Sequence, residues 1–471
     1  MSASFDQLDA VVCGGGFAGL CAAVTAAEGG ARVLLAEKAP HLGGSTLLSG
    51  GSVWTWESYE DLRVAIPGGD PLLQKLVVDG VGAGLDWLAG QGVQLSAVKT
   101  YQSHGPGRSI GPAQAIAALA ERLESLHGMI VTNTALDELL VEDGAVVGAR
   151  LVESESAVDV RAAAVVLATG GFQGNAELIG RYIVPTPDNL YLRSNEFSTG
   201  DAFIAATNVG AAASPGLDGF FGHALAAPPA KFGPEQFGEV TQYYGKFSVA
   251  LNLSGERFAD ESEGTGEEVL NQQLARQQGG LGFFVIDEEI AGYSYVEDRV
   301  TRVIIERAER FGATVITADT IEELAERLGE HGLPPAGVLK TIREYNEAIA
   351  AGRPEDLSPP RRRWHFPILR PPFRAVAVKA GITQTTGGLA VDERMRVLRR
   401  SASSSHLDHG IGEGQRPRQR AAIPGLYAAG GDVGNIAHIG YMGNLGAGLV
   451  TARIAGTDAA HLAKTTARVA G

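Results

Sequence analysis

The chain has 471 residues and is 45% hydrophobic, enough for roughly two or three domains and a large buried core. A formal net charge of −15 with no basic stripe excludes a nucleic-acid surface, and no run of about 18 apolar residues is present to span a membrane. Cys13 and Cys21 are the only cysteines and fall in one strand–helix unit, which excludes a disulfide framework and a cysteine-bound metal or haem; no metal site is expected.

The amino end, MSASFDQLDAVVC, lacks a basic region followed by a long apolar run, so a soluble cytoplasmic protein is expected. Residues 9–19 read DAVVCGGGFAG: a short apolar strand, then Gly14-x-Gly16-x-x-Gly19, with Phe17 and Ala18 inside the turn. An alanine-rich helix follows, then a second buried strand, ARVLLA (31–36), ending at Glu37, with Lys38 next. In this order the first glycine permits a tight turn, the second admits a pyrophosphate and the third lets helix pack on strand. The helix N-terminus offers N–H groups to phosphate, and Glu37 stands where a ribose hydroxyl is bound.

Residues 41–56, HLGGSTLLSGGSVWTW, fit neither a helical nor a strand period. Residues 130–151, which include Leu136, read as antiparallel strands about a turn at Glu142-Asp143-Gly144. Residues 164–172, AVVLATGGF, form a strand ending in Ala168, Thr169 and Gly170. Ser198-Thr199-Gly200-Asp201 opens a helix over 202–209, and Asp201 is either its N-terminal charge or a cofactor contact. From about 226 to 371 the pattern changes to a strand, FFVIDEE (283–289), and amphipathic helices at 320–328 and 335–350. PRRRWHFPILRPP (360–372) reads as a proline-bounded crossing whose arginines form a solvated face or linker rather than a ligand site, and 399–420 as a mobile surface loop. The chain closes with a strand end, GLYAAGGD (425–432), carrying Gly431 and Asp432. A turn, GNLGAGL, then leads through Asn444 and Leu445 into an alanine-rich helix.

One long cofactor touching both ends of the chain matches extended FAD. Gly43, Gly44, Ser45 and Thr46 are then expected along the pyrophosphate and ribityl chain, and Ser49, Gly50 and Gly51 beside the isoalloxazine. Asp432 is a ribityl candidate, and the last helix points N–H groups toward the flavin pyrimidine edge.

The segments DAVVCGGGFAG, GGSTLLSGG, VVLATGGF and GLYAAGGD…RIAG resemble the FAD-dependent fumarate reductase/succinate dehydrogenase flavoprotein superfamily, and GGSTLLSGGSVW looks most like its 3-ketosteroid dehydrogenase branch. The resemblance implies an α/β fold: a Rossmann-like split FAD-binding domain (1–225 and 372–471) with an inserted α+β capping, substrate-binding domain (226–371). It also implies oxidoreductase chemistry at a carbon–carbon bond α,β to a ketone, most simply a cyclic ketone or ketosteroid, by α-proton abstraction and β-hydride transfer to flavin N5, or the reverse. Fumarate reductase members clamp dicarboxylates with arginine and histidine. This chain instead has 263–266, EGTG, and Gln384-Thr385 at those places, against a dicarboxylate, and Arg257 matches a structural arginine. Ser45 replaces the histidine that attaches FAD covalently in other members, so non-covalent FAD is expected.

For the acid/base, counting back from the terminal helix selects His438 and the Tyr-x-Gly pattern selects Tyr441; Tyr244, Tyr243 and Tyr101 are further candidates. Trp54, Trp56, Phe220, Phe221 and Met442 are candidates to line an apolar pocket for a small apolar ketone, with core packing the leading alternative for each one taken singly. The alternatives are an enoate or dicarboxylate reductase of the fumarate reductase type, and a flavin-binding protein without turnover. The sequence names neither the electron acceptor nor the oligomeric state.

Overall fold

The computed structural model describes residues 8–101, 104–264, 267–294, 299–401 and 420–470; the greater part of the expected loop at 399–420 lies outside these. The expected α/β architecture is present. The strand Leu8–Cys13 is almost wholly buried, as a strand covered by helices on both faces must be, and it pairs in parallel with Val33–Ala36 on one side and Ser156–Leu167 on the other. Met129–Val131 extends the sheet beyond Val33–Ala36, and Ala422–Ala428 extends it in parallel beyond Ser156–Leu167. The C-terminal part of the chain is thereby built into the same sheet as the N-terminal part, which is what divides the domain in sequence. Thr134–Glu142, Ala145–Glu153 and Ser156–Leu167 form the antiparallel meander anticipated at 130–151.

The helix Phe17–Glu28 leaves the sheet at the glycine turn and packs on the final helix, Asn444–Ala470. Two glycines fix this turn. Gly14 has φ of +109°, and a Cβ there would lie 2.2 Å from the Ala168 carbonyl oxygen. A Cβ on Gly19 would lie 1.8 Å from the Gly14 carbonyl oxygen, so helix and strand can approach this closely only with hydrogen at that place.

A second, antiparallel sheet runs Leu225–Ala226, Phe373–Lys379, Leu281–Ile286, Val249–Leu251, with Val315–Ala318 also on Phe373–Lys379. The helices Thr301–Arg310, Ile321–Gly329 and Pro335–Ala350 accompany it. Phe373–Lys379 lies beyond residue 371, the boundary expected from sequence, and we propose that the cap runs to Lys379. No helix among the described residues is long and apolar enough to cross a membrane.

The arginine run at 361–363 departs from the solvated face expected. Arg361 has a fully buried side chain. Its guanidinium donates to Glu261 Oε2 at 2.7 Å and to the carbonyls of Ser248, Lys246, Arg363 and Trp364. Glu261 also accepts from Arg257 Nε at 2.9 Å and Nη2 at 2.6 Å. This charge cluster ties the crossing segment to the start of the cap.

Candidate active site

A cavity of about 330 Å³ opens where the glycine turn, the 44–52 segment, the 168–170 strand end and the N-terminus of the last helix converge. Gly14, Gly16, Phe17, Ala18, Glu37, Lys38, Gly44, Ser45, Thr46, Ser49, Gly50, Gly51, Leu136, Ala168, Thr169, Gly170, Asp201, Gly431, Asn444 and Leu445 all border it. These residues are scattered from position 14 to 445, and the fold gathers them along one wall.

The residues fit the cofactor. No side chain caps the helix Phe17–Glu28 at Gly16, which leaves its first-turn N–H groups for an anionic acceptor in the cavity. Glu37 accepts from Gly15 N at 2.6 Å through Oε2 and from Ala39 N at 2.7 Å through Oε1, which fixes its carboxylate at the cavity edge. Lys38 Nζ donates to Thr199 Oγ1 at 2.6 Å and to Asp201 at 3.1 Å, so Asp201 is both the first residue of Asp201–Asn208 and half of a cavity-lining ion pair. Ser45 Oγ lies 2.9 Å from Ser194 Oγ.

Three expected contacts are placed otherwise. Gly19 packs helix on strand behind the cavity, and Gly43 pairs with Gly16 in an isolated bridge. The Asp432 carboxylate is turned away from the cavity and accepts from Thr169 N, Gly170 N and Gly171 N, with the closest at 2.5 Å. It holds the 168–171 turn rather than standing in the wall, and burial pushes its carboxyl up to about 6 against those bonds.

The catalytic candidates separate in the same way. Tyr441 borders the cavity, stacked on Phe221 at 4.3 Å and edge-on to Trp54 at 5.5 Å. Burial raises its hydroxyl above the ordinary value, with a hydrogen bond from Trp54 opposing. His438 is not in the wall; its Nε2 lies 3.3 Å from Asp218 Oδ1 at the surface. Tyr244 is also outside the wall, fully buried edge-on to Phe284, its hydroxyl lacking a partner among the described residues. Its neighbour Tyr243 lines the cavity instead. Tyr101 is bonded to Ser109 Oγ at 2.6 Å, outside the wall.

Of the apolar candidates for the pocket, Phe221 lines it, and the others follow the core-packing alternative or lie beside it. Trp54 and Trp56 lie in the core behind Tyr441 and His104, Phe220 is buried, and Met442 borders a smaller adjoining cavity. In their place the wall carries Arg193, Arg299, His223, Tyr243, Thr383 and Gln384, which is more polar and more cationic than expected. Arg193 donates to Thr383 Oγ1 at 3.0 Å and Thr241 Oγ1 at 3.3 Å. The Arg299 guanidinium sits 4.5 Å over the Tyr243 ring. His223 Nδ1 lies 2.8 Å from Glu267 Oε2. No local motif announces these residues. Parallel pairing of Tyr191–Leu192 with Gly381–Ile382 places Arg193, and pairing of Phe220–Phe221 with Gln384–Thr385 places His223.

A dinucleotide sheet split by a cap, with one cavity joining flavin loops to a polar chamber, defines an FAD-dependent oxidoreductase. The chain belongs to the FAD binding domain family, which it matches over residues 9–446. It is 27% identical to the urocanate reductase of Eggerthella lenta, over 97% of this chain and 75% of that protein. It is 25% identical to the 3-oxosteroid 1-dehydrogenase of Mycolicibacterium smegmatis, over 93% of this chain and 97% of that protein. Among solved structures, the 3-ketosteroid-Δ4-(5α)-dehydrogenase from Rhodococcus jostii RHA1 in complex with 4-androstene-3,17-dione matches with a TM-score of 0.70 at 22% identity, covering 98% of both chains.

Proposed function

We propose that the protein reduces a carbon–carbon double bond conjugated to a single carboxylate, that is, a monocarboxylic enoate. The observation that supports this reading is the pair Arg193 and Arg299 beside His223, in the cavity that also carries the flavin loops. A carboxylate leaving water needs counter-charge and hydrogen bonds, and two guanidinium groups supply both. A neutral ketone would leave them unmatched. Gln384 and the glycine-rich 263–266 segment offer no cation for a second carboxylate, which favours a mono- over a dicarboxylic acid.

In this reading the glycine turn and Glu37 hold the adenosine pyrophosphate and ribose, and Ser45, Thr46, Asn444 and Leu445 hold the ribityl and flavin end without a covalent bond. Bound FAD supplies the hydride chemistry. Phe221 and Tyr441 form a flat aromatic wall for a planar conjugated substrate. Tyr441 keeps its proton across the neutral range because burial raises it, so it acts as a hydrogen-bond donor to the acyl oxygen rather than as a base.

A second reading, dehydrogenation of a cyclic ketone of the ketosteroid type, is favoured by the presence of both Tyr243 and Tyr441 in the wall and by the end-to-end match to the 3-oxosteroid 1-dehydrogenase. One experiment separates the two. Anaerobically reduced holoenzyme is mixed with cinnamate, its methyl ester, fumarate, a cyclic enone and a 3-keto-4-ene steroid, and flavin absorbance is followed. Rapid reoxidation by cinnamate but not by the ester supports the enoate reading. Reoxidation by enone or steroid with no response to any acid overturns it.

A further inference from the structure

We propose that His223 protonates the α carbon of the substrate and that Glu267 supplies the proton through it, so that the acid of this site is a buried histidine–carboxyl pair. The inference rests on the enoate reading above. It starts from geometry. His223 follows the strand Phe220–Phe221 and borders the cavity, with its ring edge-on to Phe221 and to Tyr243, each at 5.1 Å. Its Nδ1 is 2.8 Å from Glu267 Oε2, which leaves Nε2 as the ring nitrogen for a substrate. Glu267 precedes the helix Glu268–Ala275 with its side chain 1% exposed, and its Oε1 has no hydrogen-bond partner among the described residues.

A buried carboxylate with one bare oxygen is costly; a carboxyl that donates to imidazole is not. Burial accordingly pushes Glu267 up to about 8. His223 is pushed down to about 3 by burial and by the Arg193 and Arg299 charges. Lys246 acts on Glu267 and Glu268 acts on His223 in the opposite directions, and neither prevails. At neutral pH the pair therefore holds Glu267 as the acid, donating to Nδ1, with His223 neutral and its proton on Nε2. The two arginines that favour a substrate carboxylate also keep this histidine from becoming a fixed cation.

The step balances as follows. When a hydride equivalent from reduced flavin adds to the β carbon, the π pair of the double bond moves to the α carbon and forms a C–H bond with the Nε2 proton. The Nε2–H bond breaks and its electron pair stays on the ring. The Glu267 proton passes to Nδ1, so the histidine ends neutral and Glu267 ends as carboxylate. A proton from solvent at Nε2, with return of the Nδ1 proton to Glu267, restores the pair. His438, outside the wall, has no part in this, and Tyr441 remains a donor to oxygen.

The test uses holoenzyme carrying Glu267→Gln, His223→Gln or Tyr441→Phe. Glu267→Gln keeps a polar partner for Nδ1 but has no transferable proton. We expect its reoxidation by cinnamate to slow about 100-fold. Its affinity for the saturated acid, read from the flavin absorbance shift, should stay within about threefold of wild type. His223→Gln slows likewise. Independently of turnover, difference infrared spectra of the oxidised holoenzyme at neutral pH should contain a protonated-carboxyl C=O band that Glu267→Gln lacks and Tyr441→Phe retains. Absence of that band from the wild type overturns the pair. Wild-type turnover with an unslowed Glu267→Gln overturns the relay alone. Failure of every enoate to reoxidise the wild type overturns the enoate reading, and the acid role with it, whatever the band shows.

Discussion

Replacing Glu261 by glutamine should destabilise the fold by about 3–5 kcal/mol, the cost of removing one partner from a buried ion cluster. The magnitude follows from what is left behind. Glu261 is fully buried and accepts from Arg257 twice, from Arg361 and from Ala250 N at 3.0 Å. Arg361 and Arg257 keep their carbonyl partners in the variant but lose the one carboxylate among the described residues that bonds both, and their side chains are 0% and 3% exposed. The assay is urea unfolding of the holoprotein at fixed FAD excess, followed by flavin and tryptophan fluorescence. Arg343→Gln, in the exposed pair with Glu322, serves as the control and should leave the unfolding midpoint close to that of wild type. The cluster also sets a pH dependence. Arg361 and Arg257 hold the Glu261 carboxyl below the usual range despite its burial. Its contribution is therefore fully present above the ordinary glutamate value of about 4.3 and is lost as pH falls through the lower folded value. A midpoint for Glu261→Gln within about 1 kcal/mol of wild type, or a wild-type stability that rises on acidification through that window, would refute the reasoning.

Four further outcomes follow from the same geometry. Gly19→Val places carbon where the Gly14 carbonyl oxygen stands and should yield a colourless protein, checked by flavin content after purification; a fully loaded variant would contradict the packing argument. Tyr244→Phe removes a buried hydroxyl that has no hydrogen-bond partner among the described residues and should be neutral or stabilising by up to about 1 kcal/mol in thermal melts, with unchanged turnover. Acid precipitation should release the flavin into the supernatant, as expected for Ser45 at the place of a covalent histidine; a yellow pellet would show a bond to protein. Arg299→Met should raise KM for an enoate about tenfold or more while leaving its methyl ester, if turned over at all, unaffected, and FAD content should not change.

What was legible in the sequence was what the backbone builds locally. The turn at 14–19, the acid at 37 and the strand ends at 168–170 and 431 carry their chemistry within a few residues of a regular element, and each lies where the spacing predicts. The proposed substrate chamber is different. Arg193, His223, Glu267 and Arg299 sit on four separate segments: short strands paired over long sequence distances place Arg193 and His223, Arg299 borders the same cavity, and Glu267 stands behind His223. The same limit explains the tryptophans. Ser52–Trp54 pairs antiparallel with Gly105–Ser109, and this turns Trp54 into the core and sets Trp56 against His104 at 4.3 Å, while Tyr441 and Phe221 border the cavity. In PRRRW, a run of like charge in sequence conceals one arginine whose counter-charge lies 100 residues earlier.

The placement of charge in the chamber bears on direction as well as substrate. In the enoate reading a bound monocarboxylate brings one negative charge beside two guanidinium groups, Arg193 and Arg299. Addition of hydride at the β carbon develops a second negative charge, on the α carbon and acyl oxygen, beside the same two groups. Interaction that grows between ground state and transition state accelerates the step, whereas equal binding of both does not. Arg193, braced by Thr241 and Thr383, and Arg299, braced on Tyr243, are held before substrate arrives, so this stabilisation requires little reorganisation. A saturated acid gains nothing further from these groups until a proton has left its α carbon. Removing that proton would require a base, and the buried His223–Glu267 pair in its resting state carries its proton already. In that reading the preplaced guanidinium groups and the loaded acid both favour reduction over dehydrogenation.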